Sequence, residues 1–119
     1  PNLDVMLRLF LTLVNERKIT IQELVRWMCE SPAKIFGIKN KGEVKVGSDA
    51  DLVILSMEEK SKIDVDEFYS KAKYSPFEGR TTVGSIDRVI LRGKIAFEEG
   101  EILVDRGYGK FLHPQPFRS

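Results

Sequence analysis

The chain has 119 residues, enough for one domain with a hydrophobic core, and its 19 basic residues nearly balance its 18 acidic ones. This balance argues against a dedicated nucleic-acid binder, which usually carries a strongly basic face, and no apolar stretch is long enough to span a membrane. The single cysteine, Cys29, excludes an intramolecular disulfide, and with no visible signal peptide it indicates a cytoplasmic protein.

The first predicted element is a helix from Leu3 to Val14. Nine large apolar residues cover almost its whole circumference at the helical period, and the narrow polar stripe between them consists of Asp4, Arg8, Thr12 and Asn15. A helix that is apolar almost all round is buried on most sides, and a small domain rarely has enough chain to wrap one. We therefore predict a homo-oligomer with Leu3–Val14 at the contact between copies.

Two further helices are predicted before residue 40. Thr20 and Glu23 have the spacing of a capping box, which indicates a second, amphipathic helix. The side chains expected in its buried face or nearby core are Leu24, Trp27, Met28 and Cys29. Ser31-Pro32 predicts the start of a short third helix, with serine as N-cap, and Gly37 predicts its end. The residues expected to pack beneath this third helix are Ala33, Ile35 and Phe36.

The stretch Gly42–Leu55 is predicted to form a strand, a tight turn and a second strand. Val44 and Val46 alternate with charged residues, at the period of a half-buried strand. Gly47–Asp49 has turn chemistry, because glycine tolerates positive φ and the Ser and Asp side chains bond nearby amides. Leu52–Leu55 is a continuous apolar run suited to a strand that is buried on both faces.

Strands and turns are expected over the rest of the chain. Ser61–Lys73 is predicted to be a linker with a short helix, capped by Asp64 or Asp66. The later predicted elements are a turn at Pro76–Gly79, a hairpin at Arg88–Phe97 that turns at Arg92-Gly93, a turn at Glu98–Gly100, a strand at Ile102–Val104 and an irregular tail from Gly107.

Four segments carry motifs of a known family. Ser31–Ile38 (SPAKIFGI) and Lys41–Leu55 (KGEVKVGSDADLVIL) are similar to the C-terminal region of the amidohydrolase superfamily, in particular the cyclic amidohydrolases. Tyr74–Gly79 (YSPFEG) and Val89–Phe97 (VILRGKIAF) resemble the dihydroorotases within that group. The resemblance covers all but the last few residues, and it implies that the chain is the C-terminal region of a dihydroorotase.

The resemblance also implies a fold. It implies a mixed α and β chain, with the C-terminal helices of a (β/α)8 barrel over residues 1–38. Residues 39–119 would then supply strands of a small β-sandwich, with a connecting helix and a tail. In this family N-terminal strands complete the sandwich, and the barrel core would be absent from this chain. The remainder of the parent chain is therefore an expected partner.

The sequence contains no recognisable set of zinc ligands. A catalytic zinc site needs three protein ligands, whereas His113 is the only histidine and Cys29 the only cysteine. Dihydroorotases use a His-x-His pair, a carboxylated lysine, two further histidines and an aspartate to hold zinc that activates water. None of these can be placed on this sequence. We expect zinc in the full-length parent, and no metal or catalytic residue in this chain; His113 is interpreted as an ordinary exposed residue.

Other candidate site residues have simpler structural interpretations. Asp49 and Asp51 are two carboxylates two residues apart, but turn and strand-entry chemistry explains them better, because the rest of a calcium loop is absent. Gly42–Gly47 and Gly107–Lys110 lack the residues of a phosphate-binding loop.

Three functions are compatible with these patterns. The first is a dihydroorotase, whose parent enzyme reversibly cyclises N-carbamoyl-L-aspartate to dihydroorotate in pyrimidine biosynthesis, with this chain alone non-catalytic. The second is a hydantoinase, dihydropyrimidinase or allantoinase, which share the Ala33–Leu55 pattern and differ at Pro76–Gly79. The third is a non-catalytic packing or assembly module. Pro1 and Asn2 would end a substrate-contacting loop of the parent, and no direct substrate role is expected for them.

Overall fold

The computed structural model describes residues 4–114, which form short helical segments followed by a four-stranded sheet. The helical segments are α1 (Met6–Asn15), α2 (Ile21–Val25), a π-helical turn (Arg26–Glu30) and α3 (Ser31–Ile35). The strands are β1 (Leu52–Lys62), β2 (Thr81–Leu91), β3 (Lys94–Glu98) and β4 (Glu101–Ile102), with a 3-10 helix at Val65–Glu67. The strand order is β1-β2-β3-β4, and β3 pairs antiparallel with both of its neighbours. The predicted mixed α and β fold class is therefore confirmed, and the barrel and β-sandwich assignments stay predictions.

Backbone packing divides the chain into two compact units. The first unit comprises Pro1–Ile21 and Leu55–Ile86, and the second comprises Gln22–Ile54 and Asp87–Ser119. The two long strands, β1 and β2, have 11 residues each. The domain boundary between residues 38 and 39 that the resemblance implies stays a prediction.

The first unit has an apolar core built around the start of α1. Its buried cluster consists of Val5, Ile63 and Phe68, with Leu9, Val65 and Phe77 packed against it. Leu11 is also fully buried and lies beside Gly84 in β2, where an added Cβ would come 2.8 Å from the Leu11 Cβ. Gly84 has a φ of +112°, which residues with side chains rarely adopt. Both the packing and the backbone therefore require glycine at residue 84.

The polar stripe of α1 faces the other segments of the first unit. The Arg8 guanidinium donates to Ser61 Oγ at 2.7 Å, Thr82 Oγ1 at 3.2 Å and the carbonyl oxygen of Lys62 at 3.3 Å. The rest of the stripe is bonded as follows: Thr12 Oγ1 accepts from the amide of Val83, Asn15 donates to the carbonyl oxygen of Met57, and Asp4 accepts from the amides of Tyr69 and Ser70. The helical period then places the apolar residues Met6, Leu7, Phe10, Leu13 and Val14 on the opposite face. Leu3, the predicted start of the helix, lies outside the described residues.

The helix boundaries before residue 40 follow the sequence signals with two exceptions. The first is α1, which begins at Met6, three residues after the predicted start at Leu3. α2 begins at Ile21, directly after Thr20. Gly37 ends α3 in a Schellman motif: its φ is +63°, its amide donates to the carbonyl oxygen of Lys34, and the next amide donates to that of Ala33. The predicted N-cap role of Ser31 is wrong, because the preceding residue already has helical dihedrals and the π-helical turn continues directly into α3. Within residues 4–114, no helix is long and apolar enough to cross a bilayer.

Most apolar side chains on the second unit's helical segments are exposed. Leu24 and Ala33 are buried there, as predicted. Predicted core residues that are instead exposed are Trp27 (48%), Ile35 (69%), Phe36 (61%) and Cys29. The prediction of a packed core at these positions is wrong for this chain. The physical reason is that the described part of the second unit offers few buried apolar side chains to pack against them.

The strand predicted at the start of Gly42–Leu55 is wrong as well. Val44 and Val46 are 87% and 104% exposed, and they lie in a loop between α3 and β1. Alternation produces a strand only where a neighbouring strand accepts its backbone hydrogen bonds, and none does so among the described residues. β1 does begin at Leu52, but its residues 53 and 54 are 50% and 41% exposed, so it is not buried on both faces.

Both predicted hairpin turns are confirmed. Arg92 and Gly93, with φ of +48° and +79°, connect the paired ends of β2 and β3 in a two-residue turn. Glu99 and Gly100, with φ of +49° and +83°, do the same for β3 and β4. Asp64 caps the 3-10 helix, since its side chain accepts a hydrogen bond from the amide two residues later. Strand β2 begins seven residues earlier than the sequence predicted.

Candidate functional site

Asp51 joins two segments of the second unit that are distant in sequence. It lies just before β1, and its Oδ1 accepts a hydrogen bond from the amide of Arg92 in the β2–β3 turn, at 2.8 Å. Its Oδ2 pairs with the ammonium of Lys41, which also pairs with Asp49 Oδ2 at 3.0 Å. We call Lys41, Asp49, Asp51 and Arg92 the Asp51 network. It ties the loop before β1 to the hairpin turn.

The electrostatics of the Asp51 network favour a structural role. Burial raises the pKa of Asp51, but hydrogen bonds from Lys41 and from the Arg92 amide outweigh it and hold the pKa below its ordinary value. Hydrogen bonds to Asp51, then to Asp49, raise the pKa of Lys41 above its ordinary value. Both groups are therefore charged near neutral pH, whereas a general acid or base works best with a pKa near the operating pH.

The loop before β1 lies close against the helical segments through Gly42. A Cβ added there would come 2.7 Å from the Cβ of Ala33 and 2.8 Å from the carbonyl oxygen of Cys29. The φ of Gly42 is +91°, so glycine is required by both the contact and the backbone. Gly47 has a similar φ of +95° but open space around it, so only its backbone favours glycine.

A cavity of about 200 Å³ opens between α3 and this loop. Its lining includes three lysines, and each one pairs with a carboxylate. The pairs are Lys34 with Glu30 at 2.9 Å, Lys45 with Glu43 at 3.1 Å, and Lys41 with the two aspartates of the Asp51 network. The charges that line the cavity are thus largely satisfied within the chain.

The other candidate site residues are either exposed at the surface or outside the described residues. His113 is exposed, and its ring makes an edge contact with Phe111 at a centroid distance of 5.1 Å. Cys29 is exposed as well. Pro1 and Asn2 lie outside the described residues. Within residues 4–114, no three His, Cys, Asp or Glu side chains come together as a metal site, so the described residues do not fit zinc.

Sequence reasoning missed two polar clusters. It placed Arg8 in the polar stripe of the first helix but predicted no contact for its side chain. It placed Arg92 in a turn and predicted no contact for it either. Both make contacts across more than 40 residues of sequence, Arg8 to Ser61 and Thr82, and Arg92 to Asp51. No local pattern predicts such pairs; the signal for Arg8 was its place in a narrow polar stripe on a largely apolar helix.

Comparison with known proteins decides the family. A profile of the amidohydrolase family matches residues 2–96. The chain belongs to this family. Among its relatives is a dihydroorotase of Methanothermobacter thermautotrophicus, which is 41% identical over 94% of this amidohydrolase chain. An L-hydantoinase of Paenarthrobacter aurescens is 45% identical over 83% of it. The resemblance to dihydroorotases is thereby confirmed.

Solved structures agree with this assignment. The structure of L-hydantoinase (dihydropyrimidinase) from Arthrobacter aurescens superposes with a TM-score of 0.86 and 44% identity, over 89% of this amidohydrolase chain. The chain spans about a quarter of these proteins: 26% of the dihydroorotase, 22% of the Paenarthrobacter L-hydantoinase and 24% of the solved chain. With 41% identity to the dihydroorotase and 45% to the Paenarthrobacter L-hydantoinase, the chain is similar to both kinds of enzyme to a comparable degree.

Proposed function

We propose that this amidohydrolase chain is the C-terminal part of a dihydroorotase-type enzyme, where it supplies structural support rather than catalytic groups. The observation that carries the proposal is 41% identity to a dihydroorotase over 94% of the chain, which corresponds to 26% of that relative. The parent enzyme would reversibly cyclise N-carbamoyl-L-aspartate to dihydroorotate, a step of pyrimidine biosynthesis, in the cytoplasm.

In this proposal the helical segments belong to the outer layer of a (β/α)8 barrel, and the sheet is part of a β-sandwich. Large exposed apolar side chains support the idea that further chain covers them. Those of the helical segments and the loop are Trp27, Ile35, Phe36, Val44 and Val46. Large exposed apolar surface is typical of regions that pack against another protein segment or subunit.

The proposal assigns zinc to the part of the enzyme outside the described residues, because these residues provide no metal-binding cluster. The role of this chain is then positional. Its Asp51 network and the close contact at Gly42 hold the loop before β1 against the hairpin turn and the helical segments.

A hydantoinase-type parent is the second candidate. It is favoured by 45% identity to the Paenarthrobacter L-hydantoinase and by the TM-score of 0.86 to the solved L-hydantoinase. The sequence feature that favours dihydroorotase over this alternative is Pro76–Gly79. The two candidates share the structural role for this chain and differ in the reaction of the parent.

Two chimeras test the proposal. In one, this chain replaces the matching quarter of the Methanothermobacter dihydroorotase; in the other, it replaces that of the Paenarthrobacter L-hydantoinase. We expect dihydroorotase activity in the first chimera, well above that of the same body lacking the segment. Activity only in the second chimera would favour the hydantoinase alternative. If both chimeras fold but are no more active than their truncated bodies, the proposed role is wrong.

We also propose that α1 lies at a contact between copies of this chain. Met6 is 40% exposed on the apolar face of α1, whereas Leu11 is fully buried and takes no part. We expect light scattering to give at least a dimer, and Met6→Asp to lower the mass. Tyr74→Asp, at another exposed position of the first unit, serves as the control. A wild-type monomer at high concentration would contradict this proposal.

A further inference from the structure

Arg92 binds the C-terminal segment as well as Asp51. Its side-chain Nη2 donates to the carbonyl oxygen of Tyr108, and its guanidinium carbon lies 4.3 Å from the centroid of the Tyr108 ring. The Tyr108 hydroxyl in turn donates to the carbonyl oxygen of Leu91, at 2.8 Å. The ammonium of Lys94 lies 5.3 Å from the same ring. The hairpin turn and Tyr108 therefore hold each other through two hydrogen bonds and a stacked cation.

Tyr108 is the last described residue that contacts a part of the chain distant in sequence. Upstream, the amide of Leu103 donates to the carbonyl oxygen of Ala96 at 2.8 Å. Residues 109–114 are all exposed, and within residues 4–114 the contact they make is local, between the rings of Phe111 and His113. Residues 104–107 therefore lie between two contacts with the sheet, those of Leu103 and of Tyr108. Residues 109–114 follow the contact of Tyr108.

We propose that Arg92 and Tyr108 form a clasp, a single releasable contact that holds residues 104–108 against the β2–β3 turn. The Arg92 backbone amide is held separately by Asp51, so the side chain can release Tyr108 while the turn keeps its shape. Opening the clasp frees the whole span after Leu103, together with the exposed apolar pair Phe111 and Leu112. This inference does not depend on the reaction of the parent enzyme.

Trypsin cleavage reports the state of the clasp. Arg106 lies inside the held span, and Lys110 lies beyond it, so the two sites serve as test and internal reference. In the wild type we expect cleavage after Lys110 to be much faster than after Arg106. Tyr108→Ala removes the cation–π contact and the hydroxyl's hydrogen bond to Leu91 and keeps the carbonyl that accepts from Arg92. It should raise the rate after Arg106 by about tenfold and leave the rate after Lys110 unchanged.

Milder variants separate the clasp from general unfolding. Tyr108→Phe keeps the ring and should raise cleavage after Arg106 only about threefold, since one hydrogen bond is lost. Tyr74→Ala, at an exposed tyrosine of the first unit, should change neither rate. By NMR, the ring of Tyr108 should shift the Arg92 side-chain protons upfield, and this shift should disappear in Tyr108→Ala. Equal cleavage after Arg106 in wild type and Tyr108→Ala, or no ring-current shift in the wild type, would overturn the proposal.

Discussion

The two units differ in how much of their apolar surface they bury. The first unit buries Val5, Leu11, Ile63 and Phe68, and its large exposed hydrophobic residues are Met6, Tyr69 and Tyr74. The described part of the second unit buries only Leu24 and Ala33 among its apolar residues. Its large exposed hydrophobic residues are Val25, Trp27, Ile35, Phe36, Val44, Val46, Val53, Ile54, Ile95, Ile102, Leu103, Phe111 and Leu112.

This difference shows that the two units are stabilised by different interactions. The first unit has an apolar core, and burial of each large side chain contributes roughly 1.5–3 kcal/mol. The second unit is held by polar and backbone contacts: the Asp51 network, the close approach at Gly42 and the contact between Arg92 and Tyr108. Such contacts are worth about 1 kcal/mol each, and we therefore expect the second unit to need further apolar cover for its stability.

The largest expected effect is at Leu11 in the first unit. Leu11→Ala removes a fully buried side chain that packs on Gly84, and it should lower the free energy of unfolding by about 4 kcal/mol. Leu103→Ala in the second unit, where the side chain is 47% exposed, should change it by less than about 0.5 kcal/mol. Urea titration of both variants measures the difference, and equal losses would show that the two units do not differ as described.

Gly42→Ala should have the next largest effect, about 3 kcal/mol. The substitution combines a positive φ with contact to the Ala33 side chain and the Cys29 backbone. Gly47→Ala is the matched control, because it has the same backbone penalty and no neighbour within 4 Å, and it should cost about 1 kcal/mol. Thermal unfolding of the two variants checks this, and an equal loss would show that the loop does not press against the helical segments.

Asp51→Asn should cost about 1.5 kcal/mol at pH 7, because the ion pair with Lys41 is lost while the shape is kept. The folded pKa of Asp51 is lowered, so its contribution is present above the unfolded pKa of about 3.9 and is lost as pH falls through the folded value. The stability difference between wild type and variant should therefore shrink below about pH 4.

Asp49→Asn should lower the free energy of unfolding the least, and it serves as the control for Asp51→Asn. Its carboxylate is 44% exposed and, within residues 4–114, pairs only with Lys41, so the loss should be less than about 0.5 kcal/mol. Urea titrations between pH 3 and 7 distinguish the two aspartates. A difference between wild type and Asp51→Asn that stays constant over this range would contradict the charged pairing.

Local signals in the sequence predicted turns and helix ends well, and long-range contacts poorly. Arg92-Gly93 and Glu99-Gly100 were predicted because turn type depends on the residues within the turn. Gly37 was predicted for the same reason. The alternation at Val44 and Val46 failed because a strand also needs a neighbour.

The direction of a face was equally hard to predict. Periodicity showed that Arg8 and Thr12 share one side of α1, but it could not show that this polar side faces the strands. Strand β2 was predicted too short because Gly84 interrupts the apolar pattern at a position where Leu11 requires close approach. For the Asp51 network, the structural role of the aspartates was predicted from turn chemistry, but their partners Lys41 and Arg92 were not.

Amide hydrogen exchange tests most directly whether the second unit depends on cover from outside this chain. Helices α1 and α2–α3 are compared in the isolated chain and within the active chimera. We expect α1 to exchange slowly in both samples, and α2–α3 to exchange fast in the isolated chain and slowly in the chimera. Equally slow exchange of α1 and α2–α3 in the isolated chain would contradict this account, because the second unit would then be stable without further cover.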